Sequence, residues 1–271
     1  MRTCFNTVTA NPYPLRDQIE LMGKYGYEGT EIQSDKLDQY LASYSLDELK
    51  RQLEETKVKA AALMAFPFVG FSKGELENIA KYAELASKIG AETLLCFCCD
   101  GPPEGMGLQE AYARAGQSAR EYGEAAAPFD VTIALEPIGA NKFVPGPKQA
   151  LEIAKAANRP NVGVMFDTFH CFRGRVTLDD IRAVPVERLF IVHVNDVPEL
   201  PDVPFEQIND SHRVYPGQGR LPLVEEFKII KGKGYKKFLS VEIFNRGYWQ
   251  EPLENIIRES KAGLDRVLSR V

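Results

Sequence analysis

The run Ile133-Ala134-Leu135-Glu136 decides the fold together with three later runs of the same kind: Gly163-Val164-Met165-Phe166-Asp167, Phe190-Ile191-Val192-His193 and Leu239-Ser240-Val241-Glu242. Each run is short, apolar over most of its length, and closed by an acidic residue or a histidine. Runs that are apolar on both faces are typical of strands buried on both sides, as in a parallel sheet covered by helices.

Four similar runs precede them, centred on Thr3-Cys4-Phe5, Gly29-Thr30-Glu31-Ile32, Ala60-Ala61-Ala62-Leu63 and Thr93-Leu94-Leu95-Cys96. Longer segments with helical periodicity separate the eight runs, which is the alternation expected of βα units. The 271 residues are close to the roughly 250 that a (β/α)8 TIM barrel typically has. We therefore predict an α/β fold, a TIM barrel, with residues 1–271 forming one domain.

Helix boundaries and one long loop can also be predicted. Ser45 is followed three residues later by Glu48, a capping-box pattern that predicts a helix start. An apolar stripe from Leu76 to Ile89 predicts a helix that ends near Gly90. The prolines and glycines between Asp196 and Leu221 predict a long loop after the seventh strand, and such loops are often functional.

The composition indicates which kinds of molecule the protein is expected to bind. The formal net charge is -5 and the pI is near 5.5, which argues against a nucleic-acid binder that relies on many phosphate contacts. No segment has the length and apolarity of a membrane span or of a signal peptide. We expect a cytoplasmic protein, a small-molecule substrate, no nucleic acid or membrane partner, and a possible homo-oligomer.

The five cysteines include the cluster Cys96, Cys98 and Cys99. An odd number without a paired spacing argues against a disulfide framework. A soft metal site at the cluster is conceivable, but buried thiols within an apolar strand are the commoner arrangement.

The residues that close the last four runs are Glu136, Asp167, His193 and Glu242. In a parallel barrel the carboxyl ends of all strands meet at one mouth, so these side chains are expected to converge. Three carboxylates and an imidazole suit one divalent metal ion, with Mn²⁺ as the first choice and Mg²⁺, Co²⁺ or Zn²⁺ as alternatives. Taken singly, Asp167 also fits a helix cap and His193 a core histidine.

Several motifs carry a resemblance over nearly the whole chain: Ala134-Leu135-Glu136-Pro137, Phe166-Asp167-Thr168-Phe169-His170, His193-Val194-Asn195-Asp196, Arg213 to Gly219 and Ser240-Val241-Glu242. They resemble the sugar isomerase/epimerase superfamily of xylose isomerase-like barrels. The resemblance implies metal ligation by Glu136, Asp167, His193 and Glu242. It also implies a metal-dependent isomerase or epimerase of a small keto-polyol, such as 2-keto-myo-inositol or a ketose, in carbohydrate metabolism and inositol catabolism.

The same resemblance implies roles for individual residues. Glu136 and Glu242 would be catalytic and exchange a proton through an enediolate, while His170 and Arg213 would bind substrate oxygens. Ketose 3-epimerases carry a glutamate shortly after the first ligand, and Ile138-Gly139-Ala140-Asn141-Lys142 contains none. This departure weighs against a ketose 3-epimerase.

Two further groups of residues have weaker assignments. Trp249, beside Tyr248, follows the eighth run, where its ring could cover the apolar face of a polyol; an oligomer contact would explain it equally well. His212 and Asp196 fit solvated loop residues as well as site residues.

Other functions remain open at this point. A lyase of the inosose dehydratase or keto-glycoside-cleaving kind would use the same residues. A repair endonuclease of the endonuclease IV type needs many histidines for its metal cluster, and this chain has three. A non-catalytic sugar sensor is a further alternative. The chain shows no phosphate cradle, which favours an unphosphorylated substrate.

Overall fold

The computed structural model describes residues 1–271 and contains eight strands that form a closed parallel barrel in the order β1 to β8. The strands are β1 (Arg2–Asn6), β2 (Gly29–Gln33), β3 (Lys59–Phe68), β4 (Thr93–Cys98), β5 (Thr132–Glu136), β6 (Val162–Asp167), β7 (Leu189–Val194) and β8 (Phe238–Val241). Each of the eight apolar runs overlaps one strand. The predicted TIM barrel is therefore confirmed.

Ten α-helices connect and follow the strands. They are α1 (Leu15–Lys24), α2 (Ser34–Leu41), α3 (Leu46–Thr56), α4 (Leu76–Ile89), α5 (Leu108–Ala126), α6 (Pro147–Ala157), α7 (Thr168–Arg173), α8 (Leu178–Ala183), α9 (Leu223–Gly232) and α10 (Leu253–Leu268). No helix is long and apolar enough to cross a membrane.

Contacts between residues divide the chain into two compact units, Met1–Ala61 with His193–Val271, and Ala62–Val192. The first unit contains β1, β2 and β8, and the second contains β4, β5 and β6, whereas β3 and β7 are each divided between the two units. The assignment of residues 1–271 to one domain stays a prediction.

Strand register in the first unit places polar residues of neighbouring strands side by side. Asn6 of β1 lies opposite Glu31 of β2, and Cys4 lies opposite Ser240 of β8. All four side chains are buried, with Asn6 and Glu31 completely inaccessible to solvent. The barrel in this unit therefore encloses polar groups that need partners.

Local signals in the sequence explain the helix ends. Ser45 caps α3 through its hydroxyl, which accepts from the Glu48 backbone N–H at 3.2 Å, and the Glu48 carboxylate accepts from the Ser45 N–H at 2.8 Å. Gly90 ends α4 with a φ of 78°, a left-handed conformation that glycine adopts without a side-chain penalty. Both predicted boundaries are confirmed.

The cysteine cluster belongs to the core. Cys96 and Cys98 are buried in β4, and burial raises the pKa of both thiols. Cys99 is exposed just beyond the strand. Two of the three cysteines are therefore core residues of an apolar strand, which is the commoner arrangement that the sequence indicated.

We expect the Ser45→Ala variant to lose about 1 kcal/mol of unfolding free energy, since alanine leaves a helix N–H of α3 without its cap. Urea denaturation of both proteins measures the difference. Ser43→Ala, an exposed serine two residues earlier with no capping role, is the control and should change stability by less than about 0.5 kcal/mol. Equal stability of the two variants would contradict the capping role.

Candidate metal centre

Four buried side chains bring ligand atoms together. Glu136, Asp167, His193 and Glu242 each offer one such atom, and these atoms all lie within 4.8 Å of one another. These are the same four residues that the sequence analysis selected at the ends of the last four strands. Whether each residue ligates a metal stays a prediction.

Strand geometry places these residues. Glu136 is the last residue of β5, and Asp167 is the last residue of β6. His193 is the penultimate residue of β7, and Glu242 directly follows β8, where its backbone N–H donates to the Val194 carbonyl at 3.1 Å. The positions follow from strand ends alone, as expected for the catalytic mouth of a TIM barrel.

Asp167 also begins the next helix. One carboxylate oxygen, Oδ1, accepts from the His170 backbone N–H at 2.8 Å and caps α7. This tight turn directs the His170 ring towards Glu136, with 4.0 Å between His170 Nε2 and Glu136 Oε1. Asp167 therefore serves the helix as well as the cluster, and His170 lies beside it.

His193 is completely buried and has an acidic neighbour at each ring nitrogen. Its Nε2 lies 2.8 Å from Glu31 Oε2, and its Nδ1 lies 3.1 Å from Glu242 Oε2. The hydrogen bond between Nε2 and Glu31 orients the ring. The sequence analysis did not select Glu31, although a glutamate inside an apolar strand run was a visible signal of a buried charge.

Both oxygens of Glu242 are engaged. Oε1 accepts from Asn6 Nδ2 at 3.1 Å, and Oε2 accepts from Arg213 Nη1 at 2.7 Å. Arg213 is 1% exposed and forms a second ion pair with Asp210 at 2.5 Å. Arg213 thus contacts the cluster through Glu242, and its binding of substrate oxygens stays a prediction. Asn6 and Asp210 were missed, because single polar residues in a strand and a loop carry no distinguishing pattern.

The chemistry of the donors fits a divalent cation. Three buried carboxylates near one another repel unless positive charge compensates them, and Arg213 supplies one such charge at Glu242. Carboxylate oxygens with one imidazole are ligands that Mn²⁺, Mg²⁺ and Zn²⁺ all accept. The cluster is therefore suited to one metal ion.

The loop that carries Arg213 is anchored by Asp196. The Asp196 carboxylate accepts backbone N–H bonds of 2.9–3.1 Å from Val197, Gly217, Gly219 and Leu221. Asp196 is 1% exposed, and burial raises its pKa even though these bonds act in the opposite direction. The interpretation of Asp196 as a solvated residue is therefore wrong, because its carboxylate replaces water as the partner of four N–H groups.

The other weak assignment, His212, has a local role. Its Nδ1 accepts from the Asn209 backbone N–H at 3.1 Å and so completes a capping box at the turn before Arg213. The His212 ring therefore stabilises this turn.

Beside the Asp210–Arg213 pair lies a cavity of about 420 Å³ lined by Asn209, Asp210, Ser211, Phe244, Arg246 and Trp249. The Trp249 indole donates to the Val8 carbonyl at 3.1 Å, which holds its ring at the cavity. Tyr248 instead stacks on Tyr215, with 4.1 Å between ring centroids. The two aromatic residues after β8 therefore have different tasks.

A family model described as xylose isomerase-like TIM barrel matches residues 19–267. The chain belongs to this family. An inosose isomerase of Bacillus velezensis is 30% identical over 282 residues, which covers 100% of this chain and 98% of that protein. These matches confirm the resemblance and the prediction of an isomerase of this family.

Two further proteins are similar to this family member. A crystal structure of the IOLI protein with a binding zinc atom superposes with a TM-score of 0.90 at 28% identity, covering 100% of this chain and 99% of that one. A 3-dehydroshikimate dehydratase of Pseudomonas putida is 25% identical over 88% of this chain, which corresponds to 37% of the dehydratase.

We expect Asp196→Ala to lower the free energy of unfolding by about 1–3 kcal/mol, because four backbone N–H groups of the loop lose their acceptor. Limited proteolysis should cut the segment 214–221 faster in this variant. Asp202→Ala, an exposed aspartate of the same loop, is the control and should leave both measurements unchanged. If Asp196→Ala is cleaved at the same rate as the wild type, other contacts hold the loop.

Proposed function

We propose that the protein is a metal-dependent isomerase of a small unphosphorylated keto-polyol, with 2-keto-myo-inositol as its substrate. The observation that carries the proposal is the buried cluster of three carboxylates and one imidazole. Full-length similarity to an inosose isomerase supports the substrate. The reaction would belong to inositol catabolism, and the protein would act in the cytoplasm without a nucleic-acid or membrane partner.

Glu136, Asp167, His193 and Glu242 would hold one divalent ion, Mn²⁺ first and Zn²⁺, Mg²⁺ or Co²⁺ as alternatives. When bound, such an ion supplies Lewis-acid stabilisation of negative charge that develops on the carbonyl oxygen. The similar IOLI protein was solved with a binding zinc atom, which supports a metal ion in this protein as well.

Glu136 and Glu242 would transfer the proton. One carboxylate removes the proton from the hydroxyl-bearing carbon beside the ketone, which gives an enediolate, and the other delivers a proton to the former carbonyl carbon. The hydroxyl proton of the first carbon moves to the former carbonyl oxygen, so that the ketone and the hydroxyl group exchange places. The ion pair of 2.7 Å with Arg213 and the hydrogen bond of 3.1 Å from Asn6 hold the Glu242 carboxylate in one orientation. A fixed base is effective because no reorientation precedes the transfer.

His170 and Arg213 would bind substrate oxygens, and Trp249 would cover one face of the ring. Arg213 is fixed between Glu242 and Asp210, so its guanidinium can meet a hydroxyl without first becoming ordered. The cavity beside it, with Phe244 and Trp249 in its wall, offers an apolar surface next to polar groups, which suits a polyol ring.

Metal binding gives the first test of the proposal. We expect wild-type protein to bind about one equivalent of Mn²⁺ in isothermal titration calorimetry, and His193→Ala to lose this binding. Saturating metal should raise stability by about 2.7 kcal/mol at 100 times the Kd. His170→Ala should keep the metal but lose kcat/KM, since this ring is expected to contact substrate.

His212→Ala is the matched control, because its ring caps a loop turn. It should bind Mn²⁺ like the wild type. Loss of the metal in His170→Ala to the same degree as in His193→Ala would contradict the assignment of the two histidines.

Turnover in D2O tests the proton transfer. We expect deuterium on the carbon next to the ketone of the product, read by proton NMR, since a carboxylate exchanges its captured proton with solvent. Glu242→Gln should lower kcat by roughly 10²–10⁴-fold, the usual value of a general base. Complete retention of the substrate hydrogen together with an active Glu242→Gln enzyme would overturn this mechanism.

A dehydratase is the second candidate function, and similarity to the 3-dehydroshikimate dehydratase supports it. The same proton abstraction followed by loss of a β-hydroxyl would release water. Mass spectrometry of the product separates the two reactions, because an isomerase conserves the substrate mass and a dehydratase lowers it by one water.

A further inference from the structure

Glu31 is a buried acidic residue that the proposed reaction does not use. It lies in β2, is 0% exposed, and forms its one ion pair with His193, from Oε2 to Nε2 at 2.8 Å. Its other oxygen, Oε1, has no hydrogen-bond partner. No lysine or arginine compensates this carboxylate.

A buried carboxylate of this kind lowers the free energy of unfolding. A buried carboxylate loses its hydration, and one imidazole contact compensates only part of that loss. An apolar side chain would serve the barrel interior better if packing were the sole requirement. The position therefore indicates a task connected with His193.

The hydrogen-bond chemistry defines this task. An ionised carboxylate only accepts, so the 2.8 Å contact requires the proton of the His193 ring to lie on Nε2. The Nδ1 lone pair is then directed to the other side of the ring, where Glu242 Oε2 lies 3.1 Å away within the ligand cluster. A carboxylate behind a ligating histidine also makes the ring a stronger donor.

We propose that Glu31 is a positioning residue of the metal centre. It holds His193 in the tautomer with Nε2 protonated, so that Nδ1 is the metal-binding atom, and its negative charge strengthens metal binding. The inference rests on the metal centre described under the proposed function and adds a residue that does not touch the metal.

The ring nitrogen that binds metal can be measured in the wild-type protein. The chain has three histidines, so nitrogen-proton correlation spectra of ¹⁵N-histidine-labelled protein contain few signals, and His170→Ala and His212→Ala assign them. With Zn²⁺ as a diamagnetic probe, we expect His193 to keep its Nε2 proton while the Nδ1 resonance shifts. Coordination through Nε2 would overturn the proposal.

Glu31→Gln tests the charge and the tautomer together. A glutamine amide can rotate and donate to Nε2, which allows a proton on Nδ1 that blocks the metal. We expect Zn²⁺ affinity, measured by chelator competition, to fall by roughly 10–100-fold. The stability of the metal-free variant should be equal to or above that of the wild type, because a buried charge is removed.

Glu28→Gln is the matched control, since Glu28 precedes the same strand, is exposed, and accepts from the Thr3 backbone N–H at 2.8 Å. It should keep wild-type affinity for Zn²⁺. If the wild type binds no Zn²⁺, or His193→Ala binds it equally well, the metal centre itself is wrong. If the wild type binds through His193 and Glu31→Gln has unchanged affinity, only the role of Glu31 is wrong. The NMR measurement decides the tautomer even if Glu31→Gln does not fold.

Discussion

Concentrated negative charge in a buried place is the constraint on which the site depends. Three carboxylates and an imidazole contribute ligand atoms within 4.8 Å of one another, away from water. Such a group is stable only when fixed donors or cations meet its oxygens. Arg213 forms an ion pair with Glu242, Asn6 donates a hydrogen bond to Glu242, and the His170 N–H donates one to Asp167. The residues around the cluster are therefore polar at positions where packing alone would favour apolar side chains.

The loop after β7 supplies one of the cations that the buried carboxylates need. Arg213 neutralises Glu242, and its placement depends on a loop whose backbone is tied to the Asp196 carboxylate. Gly219 is required there, because a Cβ at this residue would lie 2.3 Å from the Val197 carbonyl oxygen. A buried carboxylate outside the ligand cluster thus helps to position the cation that contacts Glu242. This arrangement explains how an irregular loop can carry a precisely oriented guanidinium.

The same centre is compatible with isomerisation and with elimination, because both begin with removal of a proton beside a ketone. Since this first step is common to both reactions, the outcome depends on what surrounds the substrate. Here the segment after Glu136 lacks a glutamate, and a cavity of about 420 Å³ with Trp249 in its wall lies beside Arg213. We propose that these features decide which substrate oxygen is held and which can leave.

The sequence by itself determined the strands, the helix ends and the candidate ligands. Periodicity, capping at Ser45 and the placement of Glu136 or Glu242 at strand ends are local properties, readable without coordinates. Tertiary structure alone decided the pairing of Glu31 with His193 and of Asp196 with the loop backbone, since these partners are separated by 162 and by 1 to 25 residues. The physical reason is that a side-chain hydrogen bond requires a distance near 3 Å, which only the closed barrel and the folded loop establish.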